Sequence, residues 1–538
     1  MKSIFNQTWA IAILALTFPV VQSLLAQEQH PAAPSTAPTA TDEAQARTRS
    51  GNASASTDAV STPIPAEKPV VTHHELTLGG KLLKYSATAG NLLIRDEEDK
   101  PYGSIFYVAY TLDGVDAATR PVTFLYSGGP GAASLWLHLG SVSPVRLVTE
   151  SPDATPGPPF KLVANEYSLL DQSDLVFIDA PLTGYSRAVG KGTAKDFTGV
   201  DEDLKAFDRF IERYLTANQR WNSPKYLFGE SYGTLRSASL ADVLANSGVQ
   251  LNGVILVSSI LNYGIRSAGY DTAFIGNLPS YAAAAWYFDK IPNKPKELKT
   301  WVDEARSFAG GAYAAALFKG QNLPADELDR IAKEVSRLTG LSVEYVKESN
   351  LRITPTRFRK ELLRSDRRTM GRYDMRFEGI DTDAAGEAPS YDASDAGISG
   401  AFIGKLHDYL QRELKYETTD TYRPSANTIG QWEWKHHATS SGPGQGAMDQ
   451  AQPDAALDLA SVMRKNPHLK VFAANGYYDL ATPFFATEYD ISHMDLDASL
   501  RKNIVLDYYP SGHMIYLNIE SLRQLRTDLG EFYRNTAN

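Results

Sequence analysis

The pattern of apolar and polar positions predicts that the chain's sheet opens with antiparallel strands. Residues 75–78, 81–85 and 104–111 alternate in polarity or are rich in β-branched and aromatic residues. Gly79-Gly80 and Asp113-Gly114 provide turn signals beside them. We therefore expect an antiparallel meander that begins near residue 70.

Beyond the meander, apolar runs of strand length alternate with helical periodicity. Residues 203–215 repeat apolar positions at helical spacing, and residues 519–533 predict a last helix. The alternation predicts an α/β chain with a mixed, mostly parallel sheet and helices on both faces. The strand candidates are 121–126, 169–178, 226–228, 253–257, 469–474 and 503–507.

Between residues 262 and 440 the pattern becomes largely helical. We interpret this region as a helical cap insertion in a core built from residues 71–261 and 441–538. It contains a basic block at 357–376, followed by an acidic block at 378–395. A solvated surface and a substrate-binding role are both open for these blocks. The predicted cap helices are 282–288, 298–308, 326–338 and 343–348.

The first seventy residues differ from the rest in composition. Lys2, the apolar run 9–21 and Ser23-Leu-Leu-Ala26 predict a signal peptide over residues 1–26, with an uncleaved anchor as the alternative. Residues 27–70 are rich in Ala, Pro, Ser and Thr and poor in large apolar side chains, so we predict a disordered linker.

The net charge and the absence of cysteine argue against several classes of partner and of active site. The net charge of −10 argues against nucleic acid and anionic membranes as partners. With no cysteine among 538 residues, disulfides, thiolate metal sites and cysteine nucleophiles are excluded. An exported protein without disulfides is expected in a periplasm or outside the cell.

Gly229-Glu-Ser-Tyr-Gly233 has the G-x-S-x-G pattern of a nucleophile elbow. Apolar residues 226–228 precede it and a helix-prone run, 235–244, follows, which is the strand–turn–helix context that such a serine requires. Ser231 is thus a candidate nucleophile, and an ordinary tight turn is the alternative.

A serine nucleophile needs a histidine base and an orienting carboxylate. His513, in the loop after the strand candidate 503–507, is the candidate base. Asp479 follows the strand candidate 469–474 and is the candidate acid, with an Asx-turn role as the alternative. Asp490 and Asp507 are weaker rivals for that role.

Ser127-Gly-Gly-Pro-Gly131 follows the strand candidate 121–126. Glycines let backbone N–H groups approach a substrate oxygen, so Gly129 and Tyr232 are the candidate oxyanion donors. A phosphate-binding loop is the alternative, but the stretch lacks P-loop and dinucleotide-binding spacing.

These stretches together resemble the serine carboxypeptidase family of carboxypeptidase Y-like α/β-hydrolases, and residues 120–131 and 476–484 look like its exported bacterial members in particular. The resemblance covers about residues 70 to 535 and rests on four motifs. It implies an α/β-hydrolase fold and removal of C-terminal residues from peptides through Ser231, best at acidic pH, without metal or cofactor. The motifs are Gly128-Gly-Pro-Gly131, Gly229-Glu-Ser-Tyr-Gly233, Asn475-Gly-Tyr-Tyr-Asp479 and Ser511-Gly-His-Met514.

The resemblance also implies a site for the substrate's terminal carboxylate. The family uses an Asn just before the Gly-Gly together with the Glu before the nucleophile. Glu230 matches, whereas Ser127 stands at the Asn position, beside Gly128. Met514 matches a position that lines the leaving-residue pocket, with plain packing as its alternative.

Three functions are open at this point. A carboxypeptidase acting on peptides is favoured by Glu230 and the Gly-Gly-Pro-Gly stretch, and an esterase or acyltransferase on the same fold is supported by Ser127. If the protein were a non-catalytic binding protein, the presence of Ser231, Asp479 and His513 together would have no explanation. Oligomeric state and side-chain preference are not indicated by the sequence.

Overall fold

The structure is a computed structural model that describes residues 62–266, 269–426, 431–438 and 446–536. The predicted signal peptide and the predicted linker up to residue 61 lie outside these residues, so their predictions stay untested. Among the helices of the described ranges, none has the length and apolar character needed to cross a membrane.

The sheet contains both antiparallel and parallel pairings. The strands are β1 (Val70–Leu78), β2 (Lys81–Arg95), β3 (Pro101–Leu112), β4 (Val122–Tyr126), β5 (Val145–Leu147), β6 (Leu162–Ala164), β7 (Asp174–Ile178), β8 (Arg187–Ala188), β9 (Lys225–Glu230), β10 (Gly253–Val257), β11 (Arg368–Met370), β12 (Glu378–Ile380), β13 (His436–Ala438), β14 (Met448–Gln450), β15 (Lys470–Gly476) and β16 (Ile504–Tyr509). The main sheet has the order β1-β2-β3-β7-β4-β9-β10-β15-β16, and β8 pairs with β3. Pairing is antiparallel from β1 to β7 and parallel from β7 to β16, which confirms both the opening meander and the parallel core.

Helices lie on both faces of this sheet and in the region between β10 and β15. They are α1 (Leu135–Gly140), α2 (Val200–Ala217), α3 (Tyr232–Asn246), α4 (Thr272–Tyr287), α5 (Leu298–Phe308), α6 (Ala314–Lys319), α7 (Ala325–Thr339), α8 (Val343–Glu348), α9 (Pro355–Glu361), α10 (Ala393–Ala396), α11 (Ser399–Arg412), α12 (Ala455–Lys465), α13 (Phe484–Ser492), α14 (Ala498–Arg501) and α15 (Ile519–Thr536). Successive strand residues face opposite layers, so Tyr226 and Phe228 pack with α1, α11 and α15, whereas Leu227 packs with α2, α3 and α12. Both faces are therefore buried, which explains why the central strands are continuous apolar runs.

The region between β10 and β15 is mainly helical, as predicted. Its helices α4, α5, α7 and α9 enclose a separate apolar cluster that also includes Tyr477, Tyr478 and Leu480, from the loop after β15. Helix α11 instead packs against α1 in a cluster of the sheet. The last part of the predicted insertion therefore covers the sheet, while the earlier helices share a core with the loop that carries Asp479.

The basic and acidic blocks of this region pair largely with each other. Lys360 forms a buried ion pair with Asp381 at 2.6 Å, and Arg357 forms an exposed pair with Glu387 at 2.8 Å. The exposed Arg357–Glu387 pair fits the solvated-surface interpretation, whereas the buried Lys360–Asp381 pair fits neither sequence-based interpretation.

The described end of the predicted linker lies against the domain. Thr62 and Gly190 exchange backbone hydrogen bonds at 3.0 and 2.9 Å. The Glu67 carboxylate accepts the Leu93 N–H at 2.6 Å and pairs with Arg213 at 3.0 Å. Residues 62–69 therefore do not behave as a free linker in this structure, because specific polar contacts hold them.

Candidate active site

Ser231 lies in the turn between β9 and α3, in the predicted strand–turn–helix context. Its backbone has φ 61° and ψ −130°, an unfavourable conformation for a residue with a Cβ, and its N–H donates to the Val257 carbonyl at 3.0 Å. A Cβ on Gly229 would overlap the Gly233 carbonyl, so the turn needs glycine there. This is the geometry of a nucleophile elbow.

Asp479 and His513 meet in a buried hydrogen bond. The Asp479 Oδ2 lies 2.7 Å from Nδ1 of His513, and the two side chains are 0% and 4% exposed. The Asp479 Oδ1 accepts the N–H groups of Ala481 and Thr482 at 2.7 and 3.0 Å. The turn contacts thus hold the carboxylate that contacts the imidazole, so the geometry of an Asx turn and the contact to His513 occur together at Asp479.

The surroundings of His513 set its protonation. Burial lowers the pKa of the imidazole, but the charge and hydrogen bond of Asp479 outweigh burial and raise the pKa above its usual value. The carboxylate also fixes Nδ1 as the protonated nitrogen, which leaves Nε2 as the nitrogen able to accept a proton.

Ser258 connects the three loops at the carboxyl edge of the sheet. Its hydroxyl donates to the His513 carbonyl at 2.6 Å, and its own carbonyl accepts the Thr482 hydroxyl at 2.9 Å. The preceding residue, Val257, accepts the N–H of Ser231. Because β9, β10, β15 and β16 are neighbours, their carboxyl ends bring these loops to one place.

The glycine stretch after β4 packs against the start of α3. A Cβ on Gly128 would overlap the backbone nitrogen of Tyr232, and Gly129 has φ +107°, which disfavours any other residue. The Tyr232 N–H is at the first residue of α3, where helices leave N–H groups unpaired. The two predicted oxyanion donors thus belong to adjoining segments.

Ser127 and Glu230 also meet. The Ser127 hydroxyl donates to Oε2 of Glu230 at 3.2 Å, whereas Oε1 finds no hydrogen-bond partner among the described residues. Burial raises the pKa of the Glu230 carboxyl, and the His513 charge opposes that shift. The Tyr516 hydroxyl lies near enough to lower this pKa but does not reach hydrogen-bond geometry.

The remaining predicted residues lie in other surroundings. Asp490 is buried and accepts from the backbone of Leu261 and Asn262, and Asp507 lies on β16, so neither contacts His513 among the recorded hydrogen bonds. Met514 is 8% exposed in an apolar cluster of the sheet, which fits its packing interpretation.

The sequence analysis missed several residues that hold the site. Thr482 donates to Asp479 Oδ2 at 2.7 Å and lies 3.1 Å from His513 Nδ1. Arg236 donates to the Ser127 carbonyl at 2.8 Å from a fully buried position. A threonine three residues after Asp479 was a usable turn signal, whereas nothing local marks Arg236. No group of three or more His, Asp or Glu in the described ranges is arranged to hold a metal.

Part of the chain is similar in sequence to serine carboxypeptidases. A family model described as serine carboxypeptidase matches residues 81–283, which include the glycine stretch and Ser231 but end before Asp479 and His513. The pheromone-processing carboxypeptidase KEX1 of Saccharomyces cerevisiae strain ATCC 204508 / S288c is 31% identical over 170 residues. That alignment covers 29% of this chain and 22% of the relative, so it spans only about a fifth of the relative's length.

A solved structure extends the comparison to most of the chain. The crystal structure of KEX1(delta)p, a prohormone-processing carboxypeptidase from Saccharomyces cerevisiae, has a TM-score of 0.50 at 16% identity and covers 84% of this chain and 91% of that chain. At this identity the likeness shows the fold alone. The chain therefore has the α/β-hydrolase fold predicted from its sequence, and residues 81–283 are similar to the serine carboxypeptidase family.

Proposed function

We propose that this protein is a serine-type carboxypeptidase that cleaves the C-terminal peptide bond of peptides. The observation that carries the proposal is the buried Asp479–His513 pair. Ser258 forms hydrogen bonds with both loops of this pair, and the residue before it, Val257 of β10, accepts the N–H of Ser231. A hydroxyl on a strained turn, an oriented imidazole and a buried carboxylate are the parts of an acyl-transfer site.

The proposed reaction proceeds through an acyl-enzyme. Ser231 Oγ attacks the scissile carbonyl while His513 Nε2 takes its proton, and Asp479 stabilises the imidazolium. The N–H groups of Gly129 and Tyr232 donate to the oxyanion of the tetrahedral intermediate. The imidazolium then protonates the leaving amine, and a water activated by the same imidazole releases the acyl group.

Glu230 and Ser127 are the proposed carboxylate subsite. Two carboxylates in contact repel, so Glu230 must hold a proton to donate to a substrate carboxylate. The raised pKa of Glu230 favours that neutral form, while the raised pKa of His513 requires a higher pH to free its base. A bell-shaped profile of activity against pH follows.

The proposal includes export. Residues 1–26 have the composition of a signal peptide, and residues 120–131 and 476–484 resemble exported bacterial carboxypeptidases in particular. We propose that the protein acts on peptide substrates in the periplasm or outside the cell.

An esterase or acyltransferase is the second candidate, and one observation favours it. Ser127 replaces the Asn that the family uses for the terminal carboxylate, and its hydroxyl already donates to Glu230. A free carboxylate therefore meets fewer donors here than the family pattern provides.

The deciding experiment compares release of a free amino acid from an N-blocked dipeptide with hydrolysis of a simple acyl ester. A carboxypeptidase releases the amino acid, and it loses that activity when the terminal carboxylate is amidated. Ester hydrolysis without amino-acid release would replace this proposal with the second candidate. Ser231→Ala serves as the control and should abolish either activity.

A further inference from the structure

The loop between β11 and β12, residues 371–377, covers the catalytic loops. The His513 N–H donates to the Tyr373 carbonyl at 2.6 Å, and a Cβ on Gly512 would overlap both Tyr373 and Asp374. The Arg376 Nη1 donates to the Pro510 carbonyl at 2.9 Å. We call residues 371–377 the cap hairpin loop.

Arg372 is the exposed cation of this loop. Its carbonyl accepts the N–H of Leu480, the residue after Asp479, at 3.1 Å. Its guanidinium lies 5.4 Å from the centre of the Tyr373 ring, which in turn lies 5.3 Å from the centre of the His513 ring. Arg372 therefore lies against a ring, that of Tyr373, which itself lies beside the His513 ring.

The guanidinium of Arg372 forms no ion pair or side-chain hydrogen bond with any residue in the described ranges, unlike its neighbours. Arg376 pairs with Asp374 at 2.6 Å, and Arg359 lies 3.6 Å from Asp392. The Asp392 carboxylate does accept the backbone N–H of Arg372 at 3.1 Å. An exposed cation without a counter-ion beside a candidate active site is available to a ligand.

The field of Arg372 reaches into the site. Burial lowers the pKa of His513, Asp479 outweighs burial and raises it, and the charge of Arg372 opposes that rise. Arg372 also acts on Tyr263. Burial raises the pKa of Tyr263, and the charge of Arg372 opposes that rise. The Tyr263 ring lies 6.3 Å from that of Tyr232, at the start of α3. The charge of Arg372 therefore acts on two rings at the candidate site, those of His513 and Tyr263.

We propose that Arg372 binds a carboxylate of the substrate and so gives the enzyme a preference for peptides with negative charge at the cleaved end. The inference rests on the proposed function. The Ser127–Glu230 pair offers hydroxyl and carboxyl groups but no cation, so it leaves a substrate carboxylate without a counter-charge. Arg372 supplies that charge, and its planar fork suits a carboxylate.

The carboxylate can belong to the peptide terminus or to an acidic side chain, and binding measurements separate these sources. Calorimetry on the Ser231→Ala protein would use three N-blocked dipeptides: one ending in Leu with a free carboxylate, the same one amidated, and an amidated one ending in Glu. We expect either the Leu dipeptide with a free carboxylate or the amidated Glu dipeptide to bind about tenfold more tightly than the amidated Leu dipeptide, which carries no carboxylate. A charge-assisted hydrogen bond provides a difference of this size.

Variants in the same Ser231→Ala protein then assign the effect. Arg372→Gln should remove the tenfold preference and Arg372→Lys should keep part of it, while higher salt should weaken it. Arg367→Gln is the matched control, because Arg367 is an exposed arginine just before β11 and its loss should leave the preference intact.

Loss of preference for the free terminus assigns Arg372 to the terminal carboxylate, and loss of preference for Glu assigns it to a side-chain carboxylate. No preference for either carboxylate, or one unchanged in Arg372→Gln, overturns the proposal. Amino-acid release by the enzyme with Ser231 intact is scored separately. Charge-selective binding without release would therefore refute the proposed function and not the role of Arg372.

Discussion

Beneath the Ser231 elbow lies a fully buried ion pair that should control both stability and rate. Arg236 Nε lies 2.6 Å from Asp203 Oδ2 and Nη2 lies 3.1 Å from Oδ1, with side-chain exposures of 0% and 2%. The third nitrogen donates to the Ser127 carbonyl, just before Gly128 and Gly129. We infer that Arg236 positions the glycine stretch against α3.

Asp203→Asn removes the counter-ion and leaves the guanidinium buried. Breaking a buried pair from one side costs about 3–5 kcal/mol, a large part of the roughly 5–15 kcal/mol that stabilises a typical domain. The Phe207 ring, 4.2 Å from the guanidinium carbon, retains some favourable contact. Urea unfolding should therefore show a folded protein with a free energy of unfolding lower by that amount.

A second buried ion pair, in the cap, is the control that separates an effect on stability from an effect on catalysis. Lys360 and Asp381 have the same separation, 2.6 Å, and side-chain exposures of 1% and 2%. Asp381→Asn should destabilise the protein to a similar extent and leave kcat unchanged. In Asp203→Asn, kcat for an N-blocked dipeptide should fall about 10-fold to 100-fold, as misplacement of a catalytic group does.

The double variant Asp203→Leu with Arg236→Met sharpens the test. Apolar replacement of a buried ion pair is often neutral or stabilising, so the free energy of unfolding should recover. The rate should not recover, because the contact to the Ser127 carbonyl is lost. Equal kcat values in Asp203→Asn and Asp381→Asn, or a restored rate in the double variant, would refute the positioning role.

Two further predictions concern pH. Glu230→Gln should raise kcat/KM at pH 7 relative to pH 5, because the neutral carboxyl is lost as pH rises through its raised pKa and the amide stays neutral; a profile identical to the parent's would contradict this. Burial lowers the pKa of His436, but Asp201 and Asp458, at 2.6 and 2.7 Å, raise it to about 9. Because the pKa of His436 in the folded protein exceeds the ordinary value of 6.5, its ion pairs stabilise the folded protein by about 3 kcal/mol below pH 6.5. This stabilisation is lost as the pH rises toward 9. The melting temperature should fall over this pH range in the parent and not in His436→Asn. Parallel curves of melting temperature against pH for the two proteins would exclude this role of His436.

Local patterns were sufficient to predict the sheet and the elbow. The run 121–126 became β4, and the helical period at 203–215 became part of α2, because burial on both faces leaves a strong apolar signal. The strand predicted from the apolar run 169–178 was too long, since β7 begins only at Asp174, after a turn. Such boundaries depend on hydrogen bonds that a polarity pattern does not encode.

The supporting contacts of the site were not predictable in the same way. Arg236 and Asp203 are 33 residues apart, and Ser258 and His513 are 255 apart, so no local spacing links them. The charge blocks looked like solvent-facing surface because their pairing, as in Lys360–Asp381, appears only once the cap folds. Long-range complementarity of this kind requires the structure.

The most direct test of the account is the site of covalent labelling by a fluorophosphonate, located by mass spectrometry of the digested protein. We expect one modified peptide, carrying the adduct on Ser231, and loss of labelling in a folded His513→Ala variant. Labelling at another serine, or equal labelling with and without His513, would contradict the claim that these side chains form one acyl-transfer site.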